Sequence, residues 1–378
     1  MHPSLHRLAA ASACLIGAST LAQADGHLPD WVTMSDREFA EAHVDMAFSD
    51  DLEAQSAVAW MLFARANQQV DTATGQISAW HTWPTDADTF PAPGGTASCA
   101  VTPVMRDIPA FVKSKKVLAG KADAQASAAK GGEEVTRSPE GCEYLVNKGL
   151  NTKAGVAGYF QDPDAFVDMP IGAVEIKARW AEPGTPTTEG AYSYRGASGE
   201  YALVGLHLMV KMAPTPRDMY TSEQPSWFWT TFEFGKNPGL ANVRSLVTYN
   251  DALPQDAALE LLNEAGLDVD TFGLYSPNGT QIRFSDNDGK TGIVLGHSMM
   301  EDFAGVNINM KDPGPFPADW TMFNSSCHAC HATAAYDTAN ASFTQMPLVV
   351  GRLPKSEMDI LATHKPLDFM WPIAFQAK

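Results

Sequence analysis

The chain has 378 residues, 45% of them apolar and 19% charged, a balance that excludes a mainly disordered, collagenous or coiled-coil polypeptide. Forty-four acidic residues against 26 basic ones leave a formal charge of −18. Nucleic acid and anionic membrane both attract basic surface, so neither is an expected partner, and a basic protein partner fits better.

Residues 1–24 join His2, His6 and Arg7 to a short apolar run that ends on Ala22-Gln23-Ala24, the layout of a cleavable secretory signal. Ser12, Gly17, Ser19 and Thr20 interrupt the run, which is too short to span a bilayer. The expectation is an exported, periplasmic protein with no membrane span in its mature chain. It divides into a signal peptide (1–24), a body (25–319) and a C-terminal segment (320–378) packed on that body.

Ser35-Asp36 precedes a helix predicted over 38–46. A stripe of Leu52, Ala59, Leu62, Phe63 and Ala66 predicts a second helix over 51–67. Trp80, Trp83 and Phe90, set among Pro84, Pro91 and Pro93, read as a loop whose aromatics plug the edge of a core. Cys99 and Cys142 are expected to form a disulfide, since an exported chain meets an oxidising compartment. Residues 119–134 lack bulky apolar side chains and read as an exposed excursion.

From residue 172 the pattern turns to strands, predicted over 172–180, 200–212 and 227–234. In the second of these, Ala202, Val204, Leu206, Leu208 and Val210 alternate with Tyr201, His207, Met209 and Lys211, so His207 lies opposite the aliphatic layer. A helix is predicted over 254–265, ended by Gly266, and a hairpin turn between Ile282 and Ile293. Asp286-Asn287-Asp288-Gly289 fails as a calcium loop, because Phe284 would stand at the first ligand position. A last helix is predicted over about 356–364. Together these elements imply an α+β fold: an antiparallel-sheet-rich body with peripheral helices and a C-terminal attachment segment.

Cys327-His328-Ala329-Cys330-His331 is a C-x-x-C-H sequence, the attachment signature of c-type haem. Thiols at i and i+3 share one side of a helical turn, where both can add to the two vinyl groups of one haem. The adjacent His331 then becomes the proximal iron ligand. One covalent haem c per chain is therefore expected on Cys327, Cys330 and His331. A zinc site would need another Cys pair nearby, which is absent, and a thioredoxin-type dithiol would need a βαβ setting in the N-terminal part of the fold. His328 is expected either to face solvent or to donate from behind the ligands. For the far side of the iron the candidates are Met346 in Thr344-Gln345-Met346-Pro347, then His207 and His297. Met or His there makes an electron carrier, whereas an open position admits oxygen or peroxide chemistry.

The segments Gly172-Ala173-Val174-Glu175-Ile176-Lys177 with Trp180, Leu203-Val204-Gly205-Leu206-His207 and Trp227-Phe228-Trp229-Thr230-Thr231-Phe232-Glu233 all stand upstream of the single C-x-x-C-H. In this the chain resembles exported bacterial monohaem c-type cytochrome family proteins, in ordered pieces between residues 60 and 343. The resemblance implies haem and export and names no reaction. This chain departs from the pattern in carrying Phe234 where relatives carry His after Thr-Phe-Glu. Two functional expectations follow. The first is a periplasmic electron carrier exchanging electrons with a redox partner protein or a small-molecule donor or acceptor. The second is a haem enzyme, a peroxidase or oxygenase of small organic molecules, with His207 or Glu233 as acid/base group.

Overall fold

A computed structural model describes residues 28–73, 75–102, 106–108, 132–197, 199–238, 240–241, 244, 251–285, 293–300, 326–344 and 351–377. The expected signal segment, residues 1–24, therefore lies outside the described residues. In chain order the elements are α1 (Asp36–Ala47), α2 (Leu52–Ala66), β1 (Gln69–Thr72), β2 (Gly75–Ser78), β3 (Glu133–Arg137), α3 (Pro139–Asn147), α4 (Lys153–Tyr159), β4 (Val174–Ala181), β5 (Ser193–Arg195), β6 (Glu200–Lys211), β7 (Trp227–Phe234), α5 (Gln255–Glu264) and β8 (Tyr275–Gln281). The C-terminal part adds α6 (Cys327–Ala332), β9 (Ala335–Asp337), β10 (Ser342–Phe343), α7 (Lys355–Leu361), β11 (Lys365–Pro366) and α8 (Trp371–Gln376).

The sequence sets the helix starts. Ser35 and Glu38 form a capping box on α1, each satisfying the other's backbone N–H. Asp51 caps α2 by accepting from the backbone of Glu53 and Ala54. Helix α2 is buried nearly all round, and Phe63 stacks on Phe232 of β7 at 4.2 Å, which seats the helix on the main sheet.

That sheet has six strands. β3-β4-β6-β7-β8 run antiparallel in that order, and β5 pairs with β6. Residues paired across an antiparallel ladder share a face. Ile176, Leu206, Leu208, Val210 and Phe232 therefore pack together with Val58, Trp60 and Phe63 of α2. The opposite face carries Glu175, Lys177, Met209, Lys211, Trp227 and Trp229, and its apolar members join the C-terminal elements. A smaller sheet, β10-β9-β11, follows the Cys327–Ala332 helix.

Strand β7 falls where the sequence predicts it, and β4, β6, α1, α2, α5 and α7 lie within a few residues of prediction. The expected mixed α+β body with an antiparallel sheet is present. Cys99 and Cys142 are joined, with Cα atoms 5.5 Å apart and 43 residues of separation. Two expectations are corrected. Glu133 and Glu134, placed in the exposed excursion, are strand residues of β3, because Lys177 pairs with Glu133 and Arg106 with the buried Glu134; residues 119–131 of that excursion lie outside the described ones. The aromatic loop contains a 3-10 turn (Ala79–Thr82) and a short helix (Asp86–Thr89). Of the predicted hairpin, 286–292 lie outside the described residues, and 293–297 belong to no strand.

Candidate haem-attachment site

Helix α6 begins on Ser326, whose side chain accepts from Ala329 N and fixes the start of the turn. The turn is sorted by burial. His328, Ala329 and Ala332 are buried, whereas Cys327, Cys330 and His331 are half-buried and share the opposite side. The two thiols and the imidazole thus present themselves together, while the residues between them anchor the helix in the core. The indole of Trp371 on α8 donates to Cys330 O at 3.0 Å and satisfies a carbonyl at the helix end.

His331 Nδ1 stands 2.7 Å from Phe369 O. A carbonyl only accepts, so Nδ1 carries the proton, and it is Nε2 that the neutral ring would offer to an iron. The edge of the ring meets Trp229 of β7, with centroids 4.6 Å apart. The donor set therefore fits covalent haem: two thiols at i and i+3, and a histidine whose tautomer is already selected. Among the described residues no group of three His, Cys, Asp or Glu is arranged to hold a metal ion by itself.

Of the other candidate residues, the structure brings His207, His297 and Glu233 together, with His297 Nδ1 3.8 Å from Glu233 Oε1. Met346 lies outside the described residues. His207 is half-buried on β6, register-paired with Lys177 and Thr231 on the polar face of the sheet, as the alternation predicts. Its ring centroid is 5.5 Å from that of His297. Both nitrogens of His297 are committed to backbone: Nδ1 accepts from Met299 N at 2.9 Å, and Nε2 faces Phe232 O at 3.2 Å. A Cβ on Gly205 would sit 1.9 Å from that Nε2, so glycine is required there. Glu233 is fully buried and accepts from Ser298 N at 2.6 Å, Asn278 Nδ2 at 2.7 Å, Asn237 Nδ2 at 3.1 Å and the Ser298 hydroxyl. A carboxylate so occupied anchors residue 298 to the sheet.

His328 does not face solvent. It is packed between Phe284 and Phe369, with ring centroids 4.6 and 4.8 Å away. Burial pushes its pKa down to about 3, so the ring stays neutral. Solvent exposure, one of the two placements its position in the motif allows, is corrected: the helix turns position 328 inward because 327, 330 and 331 take the outer side.

No family model, curated protein or solved structure matches the chain. Sequence reasoning missed the residues that support the turn, Phe369, Asp368 and Trp371. A backbone carbonyl leaves no mark on residue type, and Leu367-Asp368-Phe369 has no periodicity to announce a corner. Trp229 stood in a recognised strand, but nothing local linked it to His331.

Proposed function

We propose that the protein is an exported c-type cytochrome carrying one covalent haem on Cys327 and Cys330, with His331 as proximal ligand. The carrying observation is His331: its Nδ1–H is held by Phe369 O while it shares a half-buried face with both thiols. When bound, the haem supplies one-electron redox chemistry. The chain's own residues fix the imidazole, attach the ring edge and bury the other side of the turn. The surplus of acidic residues over basic ones suits attraction of a basic redox partner, which makes electron transfer the reading supported best. No helix among the described residues is long and apolar enough to cross a membrane, in keeping with a partner met in the periplasm.

The test is expression in a cell competent for cytochrome maturation. A pyridine haemochrome of one haem per chain is the expected result, and colourless protein refutes the reading. Loss of the thioether-to-iron band on Met346→Ala would assign the far ligand. The enzyme reading keeps one support: His207 is half-buried on the sheet face that also carries Met209 and Trp229. Immediate carbon monoxide binding by the reduced protein, with peroxide turnover on a phenolic donor, would favour it over the carrier.

A further inference from the structure

Behind His331 the chain makes a corner of two consecutive non-glycine residues in the left-handed region, Asp368 (φ 50°) and Phe369 (φ 65°). L side chains rarely adopt this conformation, so surrounding contacts must hold the corner in place. Those contacts converge on the Asp368 carboxylate, which is fully buried. It accepts from Lys211 Nζ at 2.7 and 2.9 Å, Trp227 Nε1 at 3.0 Å, Met169 N at 2.6 Å and the Thr215 hydroxyl. Lys211 is itself fully buried and also meets Asp168 at 2.8 Å. Lys211 and Trp227 are cross-strand partners where β6 ends and β7 begins, so the carboxylate is pinned to one end of the two central strands of the main sheet.

The next carbonyl along the chain, Phe369 O, is the one that receives the His331 proton. Its direction is set by the backbone torsions of the corner, and the pinned carboxylate fixes those torsions. The residue that locks the corner also decides how squarely the carbonyl meets the imidazole, and hence how electron-rich the imidazole is.

We propose that Asp368 is a positioning residue for the proximal histidine: latched to Lys211 and Trp227, it holds Phe369 O against His331 Nδ1 and thereby sets the potential of the iron. The inference rests on the haem reading above and deepens it. A firmly held Nδ1–H···O bond makes the imidazole a stronger donor and favours the oxidised metal. Loosening the latch therefore raises the midpoint potential.

The experiment compares wild type with Asp368→Asn, Asp368→Ala and, as a control, Arg137→Met. Arg137 is a buried cation on the same sheet, paired with Asp86 and Glu175. Each holoprotein is assayed for haem per chain, for midpoint potential by redox titration, and for ferric electron paramagnetic resonance. The Asp368 variants should keep one haem, raise the reduced-to-oxidised ratio at fixed poise about tenfold (roughly 59 mV for one electron) and broaden the ferric signal. Arg137→Met should lose stability with neither change. If the Asp368 variants lose stability while potential and spectrum stay at wild-type values, the latch is merely structural and the proposal falls. Asp368→Asn, nearly isosteric, supplies the answer if Asp368→Ala does not fold. A wild type without haem overturns the function and the latch together, whereas a haem-loaded wild type with unmoved variants overturns the latch alone.

Discussion

On one face of the six-stranded sheet, Ile176, Leu206, Leu208, Val210 and Phe232 lie against Val58, Trp60 and Phe63 of a helix that is itself buried nearly all round. On the other, Arg137, Glu175, Lys211, Trp227 and Trp229 are buried just as deeply, but as ion pairs, indole donors and aromatic edges. The first face excludes water with shape alone, and a volume-conserving swap there is tolerated. The second holds groups that cost several kcal/mol each when buried without partners. Such groups fix direction as well as distance, and this is the face on which the attachment turn rests, through Trp229 and Asp368. The contrast separates cohesion from alignment within a single layer of strands.

That separation can be broken experimentally. The largest effect is all-or-none: Cys327→Ala with Cys330→Ala should abolish covalent haem, measured as colour retained after acid-acetone extraction, while far-ultraviolet circular dichroism stays unchanged. On the aliphatic face, Phe232→Ala removes the ring between Trp60 and Phe63 and should cost about 3–5 kcal/mol in urea unfolding, with no shift in midpoint potential. A shift would show that the two faces are not independent.

Opening the Cys99–Cys142 bridge by Cys99→Ser with Cys142→Ser should cost about 4 kcal/mol on the chain-entropy account, since 43 residues separate the pair. The same urea titration measures it, and haem content should be unaffected. The smallest effect sharpens the polar face. Burial raises the Glu175 carboxyl to about 7, against the pull of Arg137. The folded protein then keeps a proton at Glu175 that the unfolded chain releases, so the contribution of this group to stability is fully present below pH 4.5 and declines as pH climbs towards 7. Glu175→Gln should flatten that decline, worth up to about 3 kcal/mol, in urea midpoints taken between pH 4.5 and 8.

The sequence shows these two faces unequally. Strand β6 announces itself through Ala202 to Val210 in alternation, and α2 through its apolar stripe, because burial against one neighbour imposes a period. β3 escapes, since the half-buried Glu133 and the buried Glu134 and Arg137 pair with charged partners far along the chain and carry no apolar alternation. β8 escapes for a related reason: Pro277, Asn278 and Gly279 sit in a sheet-edge strand whose pairing with β7 shifts register. At the site, the C-x-x-C-H turn is legible because its chemistry needs fixed residue types at fixed spacing. The support behind it is not, because a carbonyl at 369 and a carboxylate at 368 act through backbone torsions and through strands more than 130 residues away.

Lys211 has one more consequence. Its amine is fully buried, whereas the side chains of Lys236 and Lys355 are 44% and 81% exposed. An acylating reagent added to native protein should label the two surface amines at once and reach Lys211 only when the sheet parts from residue 368. Peptide mapping over time would then read the lag as a clock for how often that corner opens, with no need of colour or cofactor.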